Sequence, residues 1–99
     1  MRKHERKFLE FHHANPTVEE ELVKMSDILR NKGITRYSIS GLFAVLRYQY
    51  DIRPNAIPGD SFKLNNNYQS YYARMLMRKY PRLQGFFVIR ERSPHVNFD

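Results

Sequence analysis

Arg74 and Arg78 stand four residues apart within residues 65–82, Asn-Asn-Asn-Tyr-Gln-Ser-Tyr-Tyr-Ala-Arg-Met-Leu-Met-Arg-Lys-Tyr-Pro-Arg. On a helix, residues four apart share a face, and Ser70 falls on the same one. Guanidinium groups so placed can bind phosphate oxygens or the acceptor edges of bases. Asn66, Asn67, Gln69 and Ser70 precede them near the start of the stretch, where groove-binding helices commonly read bases. Arg74 and Arg78 are therefore candidates for base or phosphate contacts, and Lys79 and Arg82 for phosphates. Lys63, Arg90 and Arg92 would flank the backbone. A solvated polar face needs the same residues, so the pattern alone does not separate the two roles. Asparagines also cap helices, so at least one of Asn65, Asn66 and Asn67 is expected to be structural.

The other side of this stretch is apolar. Tyr68, Tyr72, Leu76 and Tyr80 recur at spacing four, with Tyr71, Met75 and Lys79 as a neighbouring row. Such a helix packs by its tyrosine side, with the hydroxyls reaching polar rims. Stacking of the same rings on unpaired bases is the alternative, and it requires exposure.

Other chemistries find little support. A metal nuclease needs clustered carboxylates or histidines, whereas after Gly33 the acids are Asp51, Asp60, Glu91 and Asp99. His12 and His13 are adjacent, about 100° apart on a helix, so they do not converge on one metal; one packed and one exposed histidine is expected. Asp60-Ser61-Phe62-Lys63 lacks the usual Glu-x-Lys spacing of nucleases, and no phosphate-binding glycine loop, zincin helix or nucleophile elbow is present. The chain is read as a non-enzyme with no cofactor and no bound metal.

Ninety-nine residues, 41% hydrophobic and 14% aromatic, suit one globular domain with a modest core. The absence of cysteine excludes disulfides and thiolate metal sites and fits a cytoplasmic setting. No apolar run approaches the roughly 18 residues of a membrane helix, and residues 8–11 make no signal-peptide core. The net charge of +7 is uneven. Residues 1–32 hold seven Lys/Arg and six Asp/Glu, 7 − 6 = +1, and residues 33–99 hold ten and four, 10 − 4 = +6. A basic surface favours phosphate backbones through counterion release, although it also serves solubility.

The elements that would position these groups follow in order. Residues 3–14 read as a first helix, with Phe8, Phe11 and His12 on one side. A second helix begins after Asn15-Pro16-Thr17, capped by Asn15 with Pro16 in the first turn, or by Thr17 with Glu20 in a capping box. Glu19, Glu20 and Glu21 suit the positive end of its dipole, which explains them without a binding role. Val18, Leu22, Met25, Ile28 and Leu29 form its buried stripe, and Gly33 closes it. Residues 35–39 alternate as a short strand or extended link. Ser38 or Ser40 then caps a third helix to about Tyr50. Its Ile39, Leu42, Phe43, Leu46 and Tyr50 stripe is widened by Val45 and Tyr48, so this helix is expected to be central and well buried. Pro54, Pro58 and Gly59 break the chain. Residues 61–64 are a possible strand, the Tyr/Arg helix runs to Pro81, and residues 86–92 are the best strand, buried in its apolar first half. Residues 93–99 are a loose tail after a core of 15–92.

The implied class is mainly α with a minimal β-sheet (α+β), and the order suits a divergent winged-helix, helix-turn-helix-like domain. Two features depart from that plan. About 14 residues link the last two helices, against roughly 3–4 in a helix-turn-helix turn, and one clear strand follows the last helix where a wing needs two. The function expected is duplex DNA binding by a regulator, with the helix over 66–80 in the groove. The alternative is a protein-binding module such as an inhibitor or adaptor, since Tyr and Arg also dominate interface hot spots. Compact winged-helix regulators often form homodimers, but no dimer seam is marked. Finally, Asn15-Pro16, Tyr37-Ser38, Arg47, Phe62-Lys-Leu-Asn-Asn-Asn-Tyr68, Tyr71-Tyr-Ala-Arg74, Pro81 and Phe86-Phe87 resemble a group of small bacterial and phage proteins over nearly the whole chain. That resemblance implies a bacterial or phage setting, and with it a DNA-binding regulator or a host-directed inhibitor. It assigns no site residue.

Overall fold

Asn15 and Pro16 divide the N-terminal half of the chain into two helices. In the computed structural model, which describes residues 3–54 and 66–88 (Asn66 and Asn67 by backbone only), α1 spans Lys3–Ala14 and α2 spans Pro16–Asn31. Asn15 is the N-cap of α2 and Pro16 its first residue, but the Asn15 side chain makes no cap bond there. Its Nδ2 donates instead to the Phe11 carbonyl at 2.9 Å, satisfying one of the last acceptors of α1. One residue thus ends one helix and starts the next. Gly33 closes α2 at φ +90°, a conformation that side chains with a Cβ disfavour.

β1 is the pair Tyr37–Ser38, and β2 is Phe87–Val88. They pair in parallel, Tyr37 opposite Phe87 and Ser38 opposite Val88, with the Tyr37 N–H donating to the Phe86 carbonyl at 2.9 Å. Ser38 also caps α3, Ile39–Asp51, by accepting from the Gly41 N–H at 3.4 Å. α4 runs Asn66–Lys79 and gives way at Pro81 to a short 3-10 turn, Pro81–Leu83. Phe86 and Phe87 are both buried, as expected for the apolar half of this strand, but Val88, in that same half, is exposed, against the expectation. The expected strand over 61–64, the charged half of the strand over 86–92 and the tail over 93–99 lie outside the described residues.

Among the described residues, four α-helices and a two-strand parallel sheet make the chain mainly helical, α+β in class. α4 is the central helix. Tyr72, Ala73 and Leu76 are fully buried on it, and α1, α2 and α3 all contact it. The sequence gives that place to α3, and the structure corrects this. α3 buries Ile39, Leu42, Phe43 and Leu46, but Val45 and Tyr48 face water. α2 departs in a smaller way: Ile28 is exposed and Ser26 takes the inner position. The buried Ser26 hydroxyl is satisfied by donating to the Leu22 carbonyl at 2.7 Å.

The long link between the last two helices has a geometric reason. Ser40 bonds Gln69, and the rings of Phe43 and Tyr72 meet at 6.0 Å. Both pairs are offset by 29 residues (69 − 40 and 72 − 43), so α3 and α4 advance side by side in the same direction. The 13 residues of α3 rise about 20 Å. The chain must return over that distance before α4 begins, which a turn of roughly 3–4 residues does not span.

The two faces of α3 should separate cleanly on substitution. Leu46→Ala should cost about 2–5 kcal/mol by cavity formation, and Val45→Ala about 0.5 kcal/mol or less. Urea unfolding of both variants measures this, and equal losses would contradict the burial described.

Candidate nucleic-acid interface

A helix that packs against three others has a narrow outer face. On α4 that face holds Arg74 and Arg78, both exposed. Their four-residue spacing places them about 6 Å apart along the axis. Among the described residues neither enters an ion pair. Ser70, on the same face, is half-buried and already has an interaction within the fold. Gln69 is turned toward α3, where its Oε1 accepts from the Ser40 hydroxyl at 2.8 Å. The backbone places Asn66 and Asn67 in the first turn of α4. Lys63, Arg90 and Arg92 lie outside the described residues.

Lys79 and Arg82 have internal partners. Lys79 Nζ donates to Glu19 Oε2 at 2.7 Å. Arg82 grips Asp27 with two bonds, Nε to Oδ1 and Nη2 to Oδ2, each 2.9 Å. Of the four cations between positions 74 and 82, two are thus matched by a carboxylate of α2. The outward positive charge of α4 concentrates on Arg74 and Arg78.

Glu19 is the residue that local reasoning missed. Its place in the first turn of α2 suits the helix dipole, yet the side chain is buried. Besides Lys79 it accepts from the Tyr80 hydroxyl at 2.6 Å, and His12 Nε2 lies 3.6 Å from its other oxygen. Burial, the largest single influence, pushes the Glu19 carboxyl upward. The bonds from Lys79 and Tyr80, with the charges of Lys79 and His12, outweigh it and hold the group below the usual carboxylate range. Asp27 is likewise held low, mainly by the bonds from Arg82. The same contacts raise Lys79, Tyr80 and Arg82, in each case chiefly through the hydrogen bond to the carboxylate. The only sequence signal for Glu19 was an acid directly after an inward-facing valine. A partner 60 residues away leaves no local mark.

The tyrosines of α4 serve packing. Phe8 stacks on Tyr71 at 5.0 Å and meets Tyr72 edge-on at 4.8 Å, and Phe11 lies 5.0 Å from Tyr68. Burial pushes the Tyr72 phenol well above its ordinary value, with the Glu19 charge adding to the effect. Its hydroxyl reaches His12 Nδ1 at 3.5 Å. His12 is therefore the packed histidine and His13 the exposed one, as their 100° separation requires.

Among the described residues no three His, Asp or Glu side chains gather as a metal ion would need. No helix of the described residues is long and apolar enough to cross a membrane. No protein-family model, curated protein or solved structure matches this chain.

The sign of the Glu19 effect is fixed by its direction. A carboxyl held below its unfolded value of 4.5 stabilises the fold above that pH, and the contribution fades as pH falls through the lower folded value. Glu19→Gln should cost about 1–3 kcal/mol near neutrality. The gap to wild type should narrow as pH drops below about 4.5. Thermal melts from pH 7 to pH 3 test this, and a gap that widens on acidification would refute it.

Proposed function

We propose that this chain is a small basic nucleic-acid-binding domain with duplex DNA as its favoured ligand. In this reading it is a regulator of bacterial or phage origin and a divergent helix-turn-helix-like domain whose α4 faces the nucleic acid. The observation that carries the reading is the outer face of α4. Arg74 and Arg78 are exposed, one turn apart, on a rigid helix whose neighbouring cations are already paired. The net charge of +7 adds a field that attracts polyanions.

The geometry also sets the kind of contact. A groove-reading helix inserts a broad face, whereas α4 is covered on all sides but one. Two guanidiniums on a narrow ridge suit phosphate oxygens, which position a protein without reading sequence. Affinity should therefore depend on salt more than on base order. Gln69 is engaged by Ser40, so base reading falls to Asn66 and Asn67 at the start of α4. The parallel pairing of β1 with β2 gives no antiparallel wing hairpin among the described residues, so contacts of the wing type are not assigned here.

Fluorescence anisotropy with labelled duplex and single-stranded DNA tests the reading. Wild type should bind duplex at low salt, and Arg74→Ala/Arg78→Ala should weaken binding about tenfold or more. The double substitution should also reduce the slope of log affinity against log salt by about 2. Absence of binding at low salt by the folded wild-type protein would end the nucleic-acid reading.

A further inference from the structure

Two arginines from different elements converge on one carboxylate. Arg82, in the short turn after α4, bonds Asp27 of α2 through Nε and Nη2, each at 2.9 Å. Arg30, three residues further along α2, holds its Nη1 3.5 Å from Oδ1 of the same acid. The Arg82 guanidinium also lies over the Tyr80 ring, 5.2 Å from its centre, and the Tyr80 hydroxyl is fixed to Glu19 at 2.6 Å. An arginine fork takes a carboxylate and a phosphate by the same two parallel bonds. The Asp27 oxygens therefore stand where two oxygens of a phosphate group would stand.

We infer that Asp27 is a built-in competitor for phosphate and that Arg82 is a masked ligand of the polyanion held by Arg74 and Arg78. The inference rests on the nucleic-acid reading of α4 and adds its regulation: an intramolecular contact limits how tightly that face binds. Three observations carry it. The pair is open to water, with the Arg82 side chain 42% and the Asp27 side chain 33% exposed, so little stability is lost when it parts. Asp27 is not left alone when it does, because Arg30 stays beside it. Arg82 keeps its support, because the Tyr80 ring is held by Glu19 and not by Asp27. Lys79 differs in the first respect. Its partner Glu19 is 11% exposed, so parting them strips a buried carboxylate of a charge partner, which is costly. Arg82 can therefore change partners where Lys79 stays bound.

Arg82 follows Arg78 by four residues, and a chain of four residues spans at most about 14 Å. That is close to the ~12 Å width of the major groove that separates two phosphate rows. A polyanion held by Arg74 and Arg78 thus brings further phosphates near Arg82 at high effective concentration, which free phosphate in solution does not match.

The test uses the full chain and labelled duplex DNA over a range of salt. Asp27→Asn keeps the side-chain shape and removes the competing charge. It should tighten duplex binding at least about threefold and steepen the slope of log affinity against log salt by about 1. Glu20→Gln makes the same change in net charge at an exposed position of the same helix, and its gain should be clearly smaller. Arg82→Ala should weaken binding at least about threefold more in the Asp27→Asn background than in wild type. In the wild-type chain the Arg82 Nε–H resonance should move when duplex is added, and much less with inorganic phosphate at the same phosphate concentration. That resonance does not depend on how the variants fold. Three results would each overturn the inference and leave the nucleic-acid reading standing: a gain from Asp27→Asn no larger than that from Glu20→Gln, an equal loss from Arg82→Ala in both backgrounds, or an Arg82 resonance that duplex leaves in place. Absence of duplex binding by the folded wild-type chain at low salt would end both.

Discussion

Full burial of Tyr72 is the constraint on which the rest of this fold depends. Its ring is met by Phe8 of α1 at 4.8 Å, His12 of α1 at 5.7 Å and Phe43 of α3 at 6.0 Å. A phenol in that position needs a partner for its hydroxyl, since an unmatched buried donor costs about 1–3 kcal/mol. His12 supplies one through Nδ1, and its other nitrogen faces the Glu19 carboxylate. If Nδ1 accepts from the phenol, Nε2 carries the proton that points at Glu19. Glu19 then passes the connection to Lys79 and Tyr80 at the end of α4. One polar chain thus runs from the centre of the core to its rim. It links α1, α2 and α4 through side chains that run from buried Glu19 to exposed Lys79.

That chain also decides which cations remain available. Lys79 and Arg82 are the two basic groups nearest the acids of α2, and both are drawn inward onto Glu19 and Asp27. Arg74 and Arg78 lie on the side of α4 that these acids do not reach. A selection made for stability therefore defines the exposed basic ridge. The exposed pair Arg82–Asp27 contributes little to stability by itself, since surface ion pairs are screened by water and salt. Its effect is to remove one guanidinium from the outer surface.

Much of this was legible in the sequence because it is written locally. Pro16 with Asn15, Gly33, Ser38 and Pro81 mark helix ends by backbone geometry, and α1 through α4 begin and end close to where those residues require. The 35–39 and 86–92 segments were identifiable as strand formers, and the pairing of Tyr37–Ser38 with Phe87–Val88 joins them. Three features were not local. Glu19 satisfies a dipole argument completely, so nothing in its neighbourhood called for a buried role. Ile28 and Ser26 exchange places because a serine can return its hydroxyl to the Leu22 carbonyl, which composition alone does not reveal. The central position of α4 was hidden because its tyrosines and arginines make it look amphipathic, whereas α3 looks apolar throughout. Hydropathy ranks how strongly a side seeks cover. It does not say which neighbour supplies it.

The exchange of roles between α3 and α4 connects the fold to what the molecule can bind. A helix as polar as α4 becomes central only because its tyrosine hydroxyls and end charges find partners, through His12, Glu19 and Asp27. A helix as apolar as α3 buries one of its sides in the fold and leaves the other exposed. Parallel packing of the pair then fixes their free faces in roughly opposite directions, arginines on one and the Val45, Tyr48 and Ile52 stripe on the other. Phe43 and Tyr72 join the two helices in the core, their rings 6.0 Å apart.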